Sequence, residues 1–279
     1  MTSLNNIFVL IKQVPDQGSK AGINPDGTID RAKAKRMLNP FDRYALQAAL
    51  DVKKNYGGKV TAITMGPPAA SEILLEALEH GTDEGYLLTD KRLAASDTLA
   101  TAYALFKVIQ HLGDFDLIFC GLQTTDGDTA QVGPQIAERL NLPQVTYCED
   151  FKIDGNRIIA KRVVEGGSEQ IKANLPALIT VANSYHHLKY KTLKGARMVQ
   201  ELFRNESEKF KYIKVVNLDQ IGADSLKCGL KGSPTIVAKT EKVSEIGGNC
   251  KIYQGISVEK SVENLMLDTN ILEFINHGS

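Results

Sequence analysis

DLIFCGLQTTDGDTAQVGP, residues 116–134, joins two kinds of pattern through one loop. DLIFC (116–120) is a short apolar run of the sort that forms a buried strand, and Val132, Ile136 and Leu140 recur every four residues, as on one face of a helix. Pro134 is tolerable only if it falls in that helix's first turn. The loop between them carries Asp126 and Asp128 and the glycines Gly121 and Gly127. A loop from a buried strand to a helix start turns backbone N–H groups and a positive dipole end toward an anion such as phosphate. Two aspartates beside an anion make sense if the ligand has hydroxyls as well. Thr129, Ala130 and Gln131 would then face phosphates, the carboxylates would take ribose or ribityl hydroxyls, and Val132-Gly133 would keep side-chain bulk low where a pyrophosphate sits. The same acids also suit a plain turn or a helix cap. As a calcium loop the stretch lacks the twelve-residue frame and its terminal glutamate.

Working outward, strand-like runs stand at IFVLIK (7–12), KVTAITM (59–65), EGYLLT (84–89) and QVTYC (144–148). Between them, Asn39-Pro40 reads as an N-cap with proline at the first helical position, and Gly57-Gly58 closes that helix. Further helices are expected over about 69–79 with Gly81 just past the end, over about 96–112 with Ser96 or Asp97 as cap, and over about 131–141. Strands alternating with helices predict an open, mostly parallel, doubly wound α/β sheet of about five strands. Its first and fourth strands should lie side by side, and a ligand should sit outside the carboxyl ends where the winding reverses. The expected lining is Leu10 to Val14, Met65 to Pro68, residues 89–101, and Gly121 to Gln131.

From 150 to 182 the turn signals Asp154-Gly155-Asn156 and Gly166-Gly167 predict hairpins of a small antiparallel sheet, followed by a last strand at 177–182. Beyond 183 the pattern loosens into helical fragments (about 196–210 and 259–276) and the glycine-bearing GLKGSPT (229–235) and EIGGN (245–249). No self-contained core is visible there, so this part should lie against the first domain or a partner.

The balance of 43% hydrophobic and 24% charged residues is that of a globular protein, and 33 basic against 33 acidic residues leave no nucleic-acid footprint. The 4 cysteines, at 120, 148, 228 and 250, form no CxxC pair, which argues against a zinc or iron–sulfur site and fits a cytoplasmic setting. MTSLNNIFVLIKQVPD has no charged region before its short apolar run, and no stretch is long enough to span a bilayer. His186-His187 suits the surface better than a metal, since adjacent histidines seldom face one way. Lys12 suits either the edge of a sheet or a ligand contact. MGPP (65–68) reads as a stiff strand-to-helix turn that could form a floor for a flat ring. No Ser–His–Asp order, HExxH, Walker sequence or GxGxxG is present, so any chemistry would belong to a bound cofactor.

VLIKQVPD, LNPFDRYALQAAL, AITMGPPAA, ASDTLATAYAL, CGLQTTDGDTAQVGP and LPALITV, in this order and spacing, resemble the beta subunit of electron transfer flavoproteins over about residues 5–200. The resemblance implies an alpha-subunit partner with a mobile FAD domain, and an adenine-nucleotide site in this chain. It carries that site onto Leu10, Ile11, Lys12, Asn39, Phe41, Asp42, Met65, Gly66 and Pro67. In the later motifs it falls on Asp97, Thr98, Thr101, Cys120, Gly121, Gln123, Thr124, Asp126, Gly127, Asp128, Thr129, Ala130, Gln131 and Val132. GPP, SDTLAT and DGDTAQVGP are similar to the electron-bifurcating branch, in which this site holds a second FAD; in the housekeeping branch it holds AMP as a structural ligand.

The bifurcating branch implies hydride from NADH, one electron toward ferredoxin or flavodoxin, and the other through the alpha-subunit FAD to an acyl-CoA or hydroxy-acid flavin dehydrogenase. A stand-alone adenine-nucleotide-binding or ATP-hydrolysing module of related topology is the more distant alternative. SYHHLKYKTLKGARMV (184–199) resembles the family's recognition loop, with Tyr190 and Leu193 as docking residues. Leu122 stands where a basic residue is common, and His186-His187-Leu188-Lys189 replaces Asn-Glu-Pro-Arg. The expected organisation is a nucleotide-binding domain over 1–182, a recognition loop over 183–200 and a C-terminal arm over 201–279 lying on the alpha subunit.

Overall fold

In the computed structural model the described residues are 4–16, 22–23, 29–30, 35–204, 206–236, 252–253 and 257–268. In chain order they form β1 (Asn6–Leu10), β2 (Gln13–Pro15), β3 (Gly22–Ile23), β4 (Ile29–Asp30), β5 (Arg36–Leu38), α1 (Pro40–Tyr56), β6 (Lys59–Met65), α2 (Ser71–His80), β7 (Glu84–Leu88) and α3 (Thr98–Leu112). There follow β8 (Leu117–Gly121), α4 (Val132–Leu140), β9 (Gln144–Asp154), β10 (Arg157–Val164), β11 (Gly167–Asn174), β12 (Ala177–Val181), α5 (Leu193–Arg204), α6 (Glu206–Tyr212), β13 (Ile213–Val216) and α7 (Val258–Asp268).

β1 has no face to give to water: Ile7 and Val9 are wholly buried, and Phe8 and Leu10 nearly so. A strand buried on both sides belongs inside a parallel sheet covered by two helical layers. Successive side chains point to opposite faces. Ile7 and Val9 accordingly join the core under α1, α2 and α5, with Leu46, Leu74 and Val199, while Phe8 and Leu10 join the core under α3 and α4, with Val108 and Ile136. The sheet holds nine described strands in the order β11-β10-β9-β12-β8-β1-β6-β7-β13. β1 pairs in parallel with β6 and with β8, Leu10 lying between Ile63 and Cys120. The first and fourth expected strands are therefore neighbours, and the winding reverses at β1.

Two arrangements differ from the sequence pattern. β12 enters between β8 and β9, parallel to both. β9 then continues past the parallel part and pairs antiparallel with β10, so the hairpin strands extend the large sheet at its edge. A left-handed Tyr147 (φ 58°) and a register shift mark the change of partner along β9.

The chain divides into two units, residues 1–236 and 237–279. The first reaches beyond the boundary expected at 182 because β13 pairs with β7 at the far sheet edge and α5 packs on α2. Gly195 permits that packing, since a Cβ there would lie 2.8 Å from the Glu79 carbonyl carbon. In the second unit α7 carries Val258, Val262 and Leu265 at helical spacing. EIGGN, Cys250 and the expected helix beyond 268 lie outside the described residues. Among the described residues no helix is long and apolar enough to cross a membrane, and no group of three or more His, Cys, Asp or Glu is placed to hold a metal.

Candidate functional site

β1 ends at Leu10, where the buried Ile11 still donates its N–H to the Ile63 carbonyl at 2.9 Å. The next residue leaves the sheet: the Lys12 N–H donates to Asp42 Oδ2 at 2.7 Å, and the Lys12 carbonyl accepts from the Asn39 N–H at 2.9 Å. Asn39 stands at the start of α1, as expected, but its side chain does not cap the helix. It is wholly buried and reaches across to the opening loop instead. Nδ2 donates to the Gln123 carbonyl at 2.8 Å, and Oδ1 accepts from the Thr125 N–H at 3.2 Å.

Asp42 lies in the first turn of α1, next to Phe41. Burial pushes its carboxyl up to about 7, against the lowering pull of the Asn39 amide, the Lys12 N–H and charge, and the Gly121 N–H. Gly121 has to be glycine for this contact, because a Cβ would sit 2.8 Å from both the Asp42 nitrogen and the Phe41 carbonyl carbon. The Cys120 thiol points to the Ile179 carbonyl at 3.8 Å, and burial, with the Asp42 charge adding to it, pushes its pKa well up.

The loop itself is wound tightly. Thr124 accepts through its carbonyl from the N–H groups of Gly127 (3.3 Å) and Asp128 (2.8 Å), and the Gln123 side chain donates to Asp128 Oδ1 at 3.0 Å. Asp126 takes both its oxygens to the Lys12 ammonium, at 2.8 and 2.9 Å. Partial burial raises its pKa, and the lysine outweighs that, holding the carboxyl below the usual range. Asp128 (φ 50°) and Ala130 (φ 53°) are left-handed without being glycine, a costly conformation that collects at ligand sites. No described residue accepts from the N–H groups of Thr129, Ala130, Gln131, Val132 or Gly133, and Gln131 offers α4 no side-chain cap. Pro134 has no N–H to give. Gly133 lets the helix start press on the sheet, as a Cβ would lie 2.6 Å from Cys120 Sγ and 2.9 Å from Thr180 Cγ2.

α3 is the opposite case. Asp97 caps it, accepting from the Ala100 N–H at 3.0 Å, whereas the Ser96 hydroxyl turns back to the Leu93 carbonyl at 2.8 Å. Burial raises the Asp97 pKa, but the Ala100 and Thr235 donors outweigh it and keep the carboxyl low. One helix N-terminus at the crevice thus carries a carboxylate, and the other is open to an anion. The two are tied by Thr98, whose hydroxyl donates to Gln131 Oε1 at 3.2 Å and accepts from Gln135 Nε2 at 3.4 Å. Thr101 lies in the same first turn of α3, its N–H on the Asp97 carbonyl at 2.9 Å.

Met65 and Val132 pack on the apolar cluster that holds Leu10 and Cys120. Gly66 donates to the Leu88 carbonyl at 3.0 Å, and Pro67 beside it is exposed. Leu122 is half-buried. Asn39 as a clamp and Ser233 and Thr235 as partners of Asp97 were not foreseen from the sequence, where GLKGSPT stood out only for its glycines.

Tyr190 is 99% exposed and Leu193 71% exposed. The loop that presents them is pinned on both sides. The Lys189 N–H donates to Gln47 Oε1 at 2.8 Å, its ammonium pairs with Asp51 at 3.0 Å, and the Thr192 N–H donates to the Glu79 carbonyl at 3.0 Å. His186 and His187 are both exposed and go to different aromatic neighbours, Tyr185 and Tyr44.

The electron transfer flavoprotein domain family matches residues 26–202. An electron transfer flavoprotein subunit beta of Thermoanaerobacterium thermosaccharolyticum is 42% identical over 94% of this chain and 96% of its own length. The acryloyl-CoA reductase electron transfer subunit gamma of Anaerotignum propionicum is 41% identical over 93% of this chain and 96% of its own. Subunit CarD of the caffeyl-CoA reductase-Etf complex of Acetobacterium woodii is 39% identical over 93% of this chain and 96% of its own.

Proposed function

Since this chain belongs to the electron transfer flavoprotein family, among its beta subunits, we propose that its 121–133 loop holds FAD and that it works in NADH-dependent electron bifurcation. The observation that carries the proposal is the run of N–H groups from Thr129 to Gly133 that find no acceptor among the described residues, set beside the Lys12–Asp126 pair. Such a site fits a pyrophosphate flanked by hydroxyls: N–H groups and an ammonium for the phosphates, carboxylates for the ribityl or ribose oxygens.

In this reading Lys12 and the N–H groups of 129–133 bind the phosphates, and Asp126 and Asp128 orient the hydroxyl-bearing chain. Leu10, Met65, Gly66 and Pro67 wall off the ring from water. Asn39, Asp42 and Gly121 hold the loop from behind. When bound, FAD would supply the redox chemistry, accepting hydride from NADH and sending one electron toward ferredoxin or flavodoxin and one through an alpha-subunit FAD to a partner dehydrogenase. The relatives named for acryloyl-CoA and caffeyl-CoA reductase complexes support a partner that reduces or oxidises a CoA ester. Exposed apolar side chains on a pinned loop, Tyr190 and Leu193, suit its docking.

The test is the FAD, AMP and protein stoichiometry of this chain co-purified with its alpha subunit, followed by anaerobic titration with NADH. Two FAD per heterodimer, one of them reduced directly by NADH, is the expected result. One FAD with one AMP would sink the flavin assignment and leave the loop holding a structural nucleotide.

A further inference from the structure

The segment 229–235, GLKGSPT, lies against the loop that follows β7, and its hydrogen bonds converge on Asp97. The Thr235 hydroxyl donates to Asp97 Oδ2 at 2.8 Å, and the Thr235 N–H reaches the same oxygen at 3.1 Å. The Asp97 N–H donates to Ser233 Oγ at 2.8 Å, and that hydroxyl passes its own hydrogen to the Gly229 carbonyl at 2.7 Å. Two further bonds seat the segment: Gly229 N–H to Ser96 Oγ at 3.1 Å, and Leu230 N–H to the Ala94 carbonyl at 3.1 Å.

The seat is close and strained. Gly229 is left-handed (φ 58°), and a Cβ on it would lie 3.1 Å from the Ala94 oxygen. Opposite it, Ala95 is left-handed without being glycine (φ 59°). Such a conformation persists only where the surroundings hold it.

We infer that Ser233 and Thr235 are positioning residues of the nucleotide site: they fix Asp97 at the start of α3 and so fix Thr98, which reaches Gln131 in the anion-binding loop. The inference rests on the nucleotide reading of that loop. The path is continuous, from Thr235 to Asp97 to the first turn of α3, and across 3.2 Å from Thr98 to Gln131. The Asp97 carboxylate takes the Ala100 and Leu99 N–H groups from its own helix, and Thr235 gives it two donors from outside. Removing the hydroxyl takes one charge-assisted bond from Asp97, and α3 loses part of what sets its register against α4. The N–H groups beside Gln131 are then less well aligned on a phosphate, and affinity falls.

The experiment uses the heterodimer with its alpha subunit, stripped of exchangeable nucleotide and titrated with FAD and separately with AMP. Thr235→Val is expected to weaken the beta-site ligand about tenfold, the size of one charged hydrogen bond. Alpha-subunit FAD content should stay near wild type, the melting temperature should fall by no more than a few degrees, and Thr235→Ser should restore affinity. Should the valine variant not assemble, Ser233→Ala carries the same expectation of weakened binding. Wild-type affinity in a folded Thr235→Val or Ser233→Ala heterodimer would overturn the inference alone. A wild-type heterodimer that takes up neither nucleotide in this subunit would overturn the nucleotide reading and the inference with it.

Discussion

Lys12 donates its backbone N–H to the buried carboxylate of Asp42 at 2.7 Å, and that bond joins the end of β1 to the first turn of α1. The ammonium of the same lysine holds Asp126 in the opposite loop. One residue therefore links a carboxyl sealed under the site to a carboxyl at its mouth, and the two respond to different perturbations.

Asp42 makes stability depend on pH. Its folded-state pKa is raised from the ordinary 3.8 to about 7 by burial. A carboxyl raised in the folded state contributes stability that is whole below its unfolded value and is lost as pH climbs to the folded one. Wild type is expected to lose on the order of a few kcal/mol from this group between about pH 4 and pH 7. Urea unfolding across that range should show the loss in wild type, and Asp42→Asn should lack it; parallel curves would place the titration elsewhere.

Lys12 and Asp126 are both part-exposed, so the pair contributes only about 0–1 kcal/mol to the fold. Lys12→Gln should leave the melting temperature almost unchanged. It should weaken a phosphate-bearing ligand, and the difference from wild type should shrink as salt is added. Titrations with FAD or AMP at low and high ionic strength would read this directly.

Asn39 allows a cap to be told from a clamp. Aspartate caps a helix as well as asparagine does, so a capping role predicts a neutral Asn39→Asp. As a clamp, the variant loses the Nδ2 bond to the Gln123 carbonyl and brings a second carboxylate close to Asp42. It should cost about 1–3 kcal/mol in chemical denaturation and weaken nucleotide binding.

The loop glycines should separate by geometry. Gly121→Ala forces a Cβ to 2.8 Å from backbone atoms of Asp42 and Phe41, which cannot give way without moving α1. A loss of about 1–3 kcal/mol is expected. Among the described residues a Cβ from Gly127→Ala meets just the Thr124 hydroxyl, at 3.2 Å, and the variant should change stability far less. Thermal melts of the two variants side by side would decide it.

Leu193 is 71% exposed on its pinned loop. Leu193→Ala should stay within about 0.5 kcal/mol of wild-type stability. If the residue anchors a dehydrogenase, electron transfer to that partner should fall at least about tenfold. Wild-type transfer rates would remove Leu193 from the docking surface.

Local patterns were enough to find β1, β6, β7 and β8, the helices α1 to α4, and the 121–132 loop at the winding reversal. Periodicity, proline and glycine act over three or four residues, and those elements are written at that range. Even the cap of α3 was narrowed to Ser96 or Asp97, three or four positions before the N–H that chose Asp97. What decided the rest acts over far greater separations. Asn39 meets Gln123 84 positions away, and Asp97 meets Thr235 138 positions away. β12 enters between β8 and β9, and β13 takes the sheet edge beside β7. A buried polar group takes whatever donor the closed fold brings within 3 Å, and a strand takes whichever edge is still unpaired. Neither choice exists until the sheet has formed, so no short stretch of sequence can mark it.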